Sequence, residues 1–105
     1  MDRKILIKNL RRFKKKVENK HEIKKMVLFG SRAKKDKVRN ESDVDLIVVG
    51  KFKGKSNLER APPLYLEWDL DLPVDFLCYT PEEFKRLSKI VSIVRESKKN
   101  GIIIR

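Results

Sequence analysis

Val27-Leu28-Phe29-Gly30-Ser31-Arg32 is an apolar run that stops at a Gly-Ser turn. Eleven residues separate Ser31 from a second run, Asp43-Val44-Asp45-Leu46-Ile47-Val48-Val49. Short aliphatic and β-branched runs bounded by Gly, Ser and Asp read as strands. The second run stays apolar at every position after Asp45, the pattern of a strand buried on both faces and central in a sheet. A third run, Val74-Asp75-Phe76-Leu77-Cys78-Tyr79, follows Pro73 and encloses one acid. Residues two apart on a strand share a face, so Asp43 and Asp45 project together while Val44 faces the other way.

Working outward, residues 2–19 predict a helix. Leu6, Leu10, Phe13 and Val17 recur at the spacing of one helix face, and Asp2 is placed to cap it. The strand then runs from Ile23 to Phe29, and Ser31 can cap a short helix starting near Arg32. Lys34 to Ser42 is polar and unpatterned, which predicts an exposed, mobile loop. The second strand covers Asp43 to Val49, and Gly50 to Ser56 is a basic connector. Pro62-Pro63 suits a helix first turn, so a helix is expected over 62–69, burying Leu64, Leu66 or Trp68. The third strand is Val74 to Tyr79. Thr80-Pro81-Glu82-Glu83 then combines an N-cap, a Pro at the first helical position and a capping-box Glu. The helix it opens, in one piece or two, carries Phe84, Leu87, Ile90, Val91 and Val94 and ends at Gly101. Ile102-Ile103-Ile104 closes the chain as a strand. The order α-β-α-β-α-β-α-β predicts an α/β (α+β) fold: one domain over 1–105, with helices packed on a mixed sheet.

Composition narrows the chemistry. With 105 residues the chain has room for one core. No apolar stretch is long enough to span a bilayer and the N-terminus lacks a signal-peptide layout, so a cytoplasmic protein without a membrane partner is expected. One Cys and one His exclude a zinc site built from those ligands, and Cys78 fits as a small buried thiol. Any metal must sit on carboxylates, which favours Mg²⁺ or Mn²⁺. Charged residues make up 40% and Gln is absent, the bias expected of a thermophile. That bias does not explain a net charge of +12, which would draw polyanions such as nucleotides, RNA or DNA. The Lys14-Lys15-Lys16 face of the first helix is the first place to seek RNA contacts.

Two carboxylates side by side repel, and a cation between them removes the penalty. Asp75, between Val74 and Phe76, would be desolvated without a partner. If its strand lies beside the second, it joins Asp43 and Asp45 in a three-carboxylate cage. Two ions about 3.5–4 Å apart could then clamp the attacking and leaving oxygens of a phosphoryl group. Gly30 lets backbone approach a ligand, the amides after it face phosphate oxygens, and Ser31 and Arg32 add a hydroxyl and a charge. Each feature alone has an ordinary explanation as a turn, a strand end or an ion pair. Metal-dependent nucleotide chemistry accounts for all of them together.

At these residues the chain resembles the DNA polymerase beta-like nucleotidyltransferase superfamily, and in particular the minimal nucleotidyltransferases (MNT) of archaea and bacteria. The family pattern is a Gly-Ser turn, about ten residues, Asp-x-Asp, and a later Asp between apolar residues. Here it reads Phe29-Gly30-Ser31-Arg32, Ser42-Asp43-Val44-Asp45-Leu46 and Val74-Asp75-Phe76. The resemblance implies a polymerase beta palm-like fold and a Mg²⁺-dependent enzyme. Asp43 and Asp45 would bind both of two Mg²⁺ ions, with Mn²⁺ as an alternative. Asp75 would bind one ion and help deprotonate the acceptor hydroxyl, and Gly30 and Ser31 would hold the β- and γ-phosphates. Many relatives carry a Gly soon after the Arg, where this chain has Lys34-Lys35.

The expected reaction is transfer of a nucleoside monophosphate, AMP from ATP, to a hydroxyl. MNT relatives are often encoded beside a helical HEPN protein as a toxin–antitoxin pair, and can act as antitoxin by adenylylating a tyrosine of the partner. The resemblance therefore implies a HEPN-type partner and protein adenylyltransferase activity. Two rivals stand beside it: transfer onto RNA or a small molecule, and a non-catalytic antitoxin that masks its partner by contact.

Overall fold

The computed structural model describes residues 2–33, 43–52, 54–90 and 92–105, with the side chains of Ser31, Arg32, Asn57 and Lys98 outside that description. The loop expected over Lys34 to Ser42, Lys34-Lys35 included, lies outside the described residues, as does Val91.

Helix α1 spans Arg3–His21 and opens where its cap was expected: the Asp2 carboxylate accepts the Ile5 N–H at 2.9 Å. Its buried residues are Leu6, Leu10, Phe13 and Val17, the predicted stripe. The helix runs past residue 19 and stops at Glu22, a non-glycine residue held left-handed at φ 50°. Strand β1 (Ile23–Phe29) follows, and Gly30–Ala33 forms a short 3₁₀ helix that opens two residues before the one expected near Arg32. Strand β2 covers Val44–Gly50, so Asp43 stands just outside it. The segment before Pro62 holds an unpredicted single turn, α2 (Asn57–Arg60), with a Ser56/Glu59 capping box. Helix α3 (Pro62–Glu67) is shorter than expected. It buries Leu64 but leaves Leu66 exposed at 87%, while Trp68 lies beyond its end with its indole N–H on the Leu72 carbonyl at 2.8 Å.

Strand β3 (Val74–Tyr79) has its predicted bounds. The following helical region is two elements, α4 (Pro81–Leu87) and α5 (Ile93–Asn100), each with its own N-cap, Thr80 and Ser92. The Ser92 hydroxyl donates to the Leu87 carbonyl at 2.8 Å, tying the second helix to the end of the first. Ile90 falls in the break and is half-exposed. Strand β4 is Ile102–Ile103, with Ile104 buried just after it.

The sheet order is β3-β2-β1-β4, with β1 antiparallel to β2 and β4, and β2 parallel to β3. Central β2 is buried almost throughout, as its two-sided apolar pattern required. Strand alternation sorts the core into two layers. On one face Met26, Leu28, Val44, Leu46 and Val48 pack with α1 and with an aromatic cluster. In that cluster the Phe13 ring centroid lies 5.0 Å from Trp68 and 5.8 Å from Phe76. On the other face Val27, Ile47 and Val49 pack with Phe84 of α4 and Val94 of α5.

Candidate active site

The carboxylates are placed by strand register. Parallel pairing sets Asp45 of β2 directly beside Asp75 of β3, and antiparallel pairing sets Phe29, the last residue of β1, across from Asp45. Alternation puts Asp45 on the face of Ile47 and Val49, and Asp75 on the face of Leu77 and Tyr79, which pack in the same layer. Both acids therefore project from the face opposite α1, at the end of the sheet where β1 finishes and β2 and β3 begin. Asp43, two residues before Asp45, is exposed at the mouth of this corner. The Val44 N–H donates to the Pro73 carbonyl at 2.9 Å and locks the two strand entrances together.

Electrostatics tie the three acids into one group. Burial first, then the charge of Asp75, then that of Asp43, hold the Asp45 carboxyl above its ordinary pKa of 3.8. Among the described residues none of the three is in an ion pair, although the chain carries 27 Lys and Arg. Nor do any three His, Cys, Asp or Glu side chains among the described residues already close into a ligand shell for an ion. Among the described residues the corner presents carboxylates without an ion pair, hard oxygen donors whose chemistry suits Mg²⁺ or Mn²⁺.

The Gly30 turn closes against the same carboxylate. Gly30 has φ +77°, and a Cβ placed on it would meet Asp45 Oδ2 at 2.6 Å. Glycine is thus required twice, by its left-handed backbone and by the room its missing side chain leaves for Asp45. Ser31 and Arg32 follow within the 3₁₀ turn, so their backbone sits beside the acids; their side chains lie outside the described part of the structure.

One feature of the corner was missed in the sequence reading. A cavity of about 410 Å³ adjoins the turn between the end of β1 and α5, lined by Phe29, Gly30, Ile93, Glu96, Ser97 and Asn100. The Asn100 amide donates to Glu96 Oε1 at 3.1 Å on its wall. Nothing in the local pattern of α5 signals a cavity, because it arises only when α5 folds back beside β1. A larger cavity of about 710 Å³, bordered by Lys24, Gly50, Lys51 and Thr80, opens at the other end of the strands, away from the carboxylates. Cys78 is half-buried, and burial pushes its thiol up to about 11, leaving it a poor nucleophile.

The family model described as a nucleotidyltransferase domain matches residues 10–104 of this chain. Among solved structures, the chain is similar to a Sulfolobus solfataricus protein provisionally described as a nucleotidyltransferase. The TM-score is 0.68 at 18% identity, over 96% of this chain and 80% of the other, a likeness of fold. No curated protein sequence matches the chain significantly. No helix among the described residues is long and apolar enough to cross a membrane.

Proposed function

This chain belongs to the nucleotidyltransferase domain family, and on that premise we propose that it moves a nucleoside monophosphate, AMP from ATP, to an acceptor hydroxyl in a Mg²⁺-dependent reaction. The observation that carries the reading is the in-register pair Asp45 and Asp75, with the Gly30 turn seated on the Asp45 carboxylate. Asp43 and Asp45 would hold two Mg²⁺ ions, or Mn²⁺, and Asp75 one of them. Bound there, the ions would supply neutralisation of charge on the reacting phosphate.

The chain's own residues supply the rest. The backbone at Gly30 and Ser31 receives β- and γ-phosphate oxygens, and Arg32 offsets their charge. Asp75 takes the proton of the acceptor hydroxyl as its oxygen bonds to the α-phosphorus. The bond from the α-phosphorus to the oxygen bridging the β-phosphate breaks, and pyrophosphate leaves with that electron pair.

The acceptor in this proposal is a tyrosine of a HEPN-type helical partner, with this chain as the adenylylating antitoxin of the pair in the cytoplasm. The resemblance to minimal nucleotidyltransferases supports it. Leu58 and Leu66, exposed at 88% and 87% on α2 and α3, offer apolar surface for such a partner. The test is incubation with α-labelled ATP and Mg²⁺ together with a HEPN partner, and separately with tRNA. Label on the partner, lost in Asp75→Asn, is the expected result. Label on RNA alone would move the acceptor to RNA. Tight partner binding with no label and no pyrophosphate would make the chain a contact antitoxin.

A further inference from the structure

Helix α1 carries nine Lys and Arg residues against a single acid, Glu18. Apart from the half-buried Arg3 at its start, its cations fall into two groups. Lys14 pairs with Glu18, Lys16 with Glu67 and Asp69, and Lys20 with Glu67. Lys4, Lys8, Arg11, Arg12 and Lys15 do not: all five are exposed, and among the described residues none has an acidic partner. Their spacing of i, i+4, i+7, i+8 and i+11 puts them on one stripe, directly opposite the buried stripe of Leu6, Leu10, Phe13 and Val17. The stripe is about 16 Å long at the helical rise. Like charges at i, i+4 weaken a helix, so a face meant only for solvent gains by interleaving acids, and this one has none.

We propose that this stripe is a binding track for the phosphodiester backbone of a nucleic acid, separate from the catalytic corner. A row of cations at steps of about 6 Å meets a ligand whose charges also repeat along a line, and binding replaces mutual repulsion with released counterions. The buried stripe of α1 is committed to the core, and the half-exposed Ile5 with the partly buried Ile7 make no apolar face that could enter a bilayer; an anionic membrane is therefore the poorer fit. The track lies on the α1 face of the sheet and the carboxylates project from the other. Occupancy of one leaves the other open, and the inference does not depend on the catalytic reading.

The experiment is fluorescence anisotropy of labelled 20-nucleotide single-stranded RNA, and DNA of the same sequence, over a NaCl series with EDTA present. The partners are the wild type, Lys8→Glu/Arg12→Glu, and a charge-matched control, Lys85→Glu/Lys89→Glu, with circular dichroism confirming each fold. The wild type should bind with a log–log salt slope of about −3 to −4, the value for five phosphate contacts on a single strand. The α1 variant should bind at least tenfold more weakly with a slope shallower by one or more, and the control should stay within twofold of wild type. Equal binding of RNA and DNA assigns the contact to phosphate alone, and a preference for RNA adds the 2′-hydroxyl; both support the track. Equal loss in the two variants, no binding, or tighter binding to phosphatidylglycerol vesicles than to either nucleic acid would overturn it.

Discussion

Asp45 is the residue on which the site turns. It touches the Gly30 turn, pairs in register with Asp75 and feels the charge of Asp43. Asp45→Asn should abolish nucleotidyl transfer while keeping the fold. The pH dependence follows from its raised pKa. An acid whose folded pKa lies above its ordinary value stabilises the fold fully below that value, here 3.8, and loses the contribution as pH rises through the raised one. In EDTA the melting temperature of Asp45→Asn should therefore gain on wild type across that window and stay ahead above it; parallel curves would remove the repulsion from the account. Gly30→Ala places a methyl on a left-handed backbone and against Asp45 Oδ2. A loss of about 1–2 kcal/mol in a thermal melt is expected, with at least a tenfold drop in transfer. The pair was legible because a strand's two-residue period is strict: Asp43 and Asp45 could be assigned one face before any coordinates. Asp75 joined them only on the condition, met by the parallel β2–β3 register, that its strand lay beside theirs. The left-handed φ of Gly30 and its seat on Asp45 were not legible, since both depend on how β1 meets β2.

Among the elements, the two faces of α1, the bounds of β1 and β3 and the capping box of α4 followed from local patterns that tertiary contacts reinforce. Breaks set by single residues did not. Gly101 ends its helix as expected, but not through the left-handed backbone that commonly favours glycine there: its φ is −81°. Its glycine is needed for space: a Cβ there would meet the Ser97 carbonyl oxygen at 2.4 Å and Val27 Cγ1 at 2.6 Å. Gly101→Ala should cost about 1–3 kcal/mol, read by urea unfolding, because α5 must move off β1 to admit the methyl. The end of α1 is the converse case, with Glu22 occupying a left-handed position that glycine prefers. Glu22→Gly should raise stability by up to about 1 kcal/mol in the same assay. The loss of its exposed ion pair to Lys51, 3.5 Å long, matters little against that. A decrease would mean the left-handed turn is not a source of strain.

Across the whole molecule the charge is divided. Residues 57–83 hold seven acids and only Arg60 as a cation, whereas α1 is almost purely basic. Arg60 is itself buried against Glu83 at 2.6 Å and donates to the Cys78 and Lys55 carbonyls, pinning α2 to the edge of β3. The acidic segment is split by the sheet: Glu67 and Asp69 pair with Lys16 and Lys20 on the α1 face, whereas Asp75 projects from the other. Net charge alone, read from composition, blurred this division into a general attraction for polyanions. Only the sheet order and strand alternation reveal that the carboxylate corner faces away from the basic helix. The sheet brings Asp45, Asp75 and the Gly30 turn to one corner with Asp43 at its mouth, and the central claim is that this corner holds metal and nucleotide together. The most direct measurement is Mn²⁺ titration, followed by electron paramagnetic resonance, of the protein with a non-hydrolysable α,β-methylene ATP analogue. Wild type should take up two ions per chain, Asp75→Asn one, and Asp45→Asn none at the same concentration. Equal uptake by all three proteins would contradict the account.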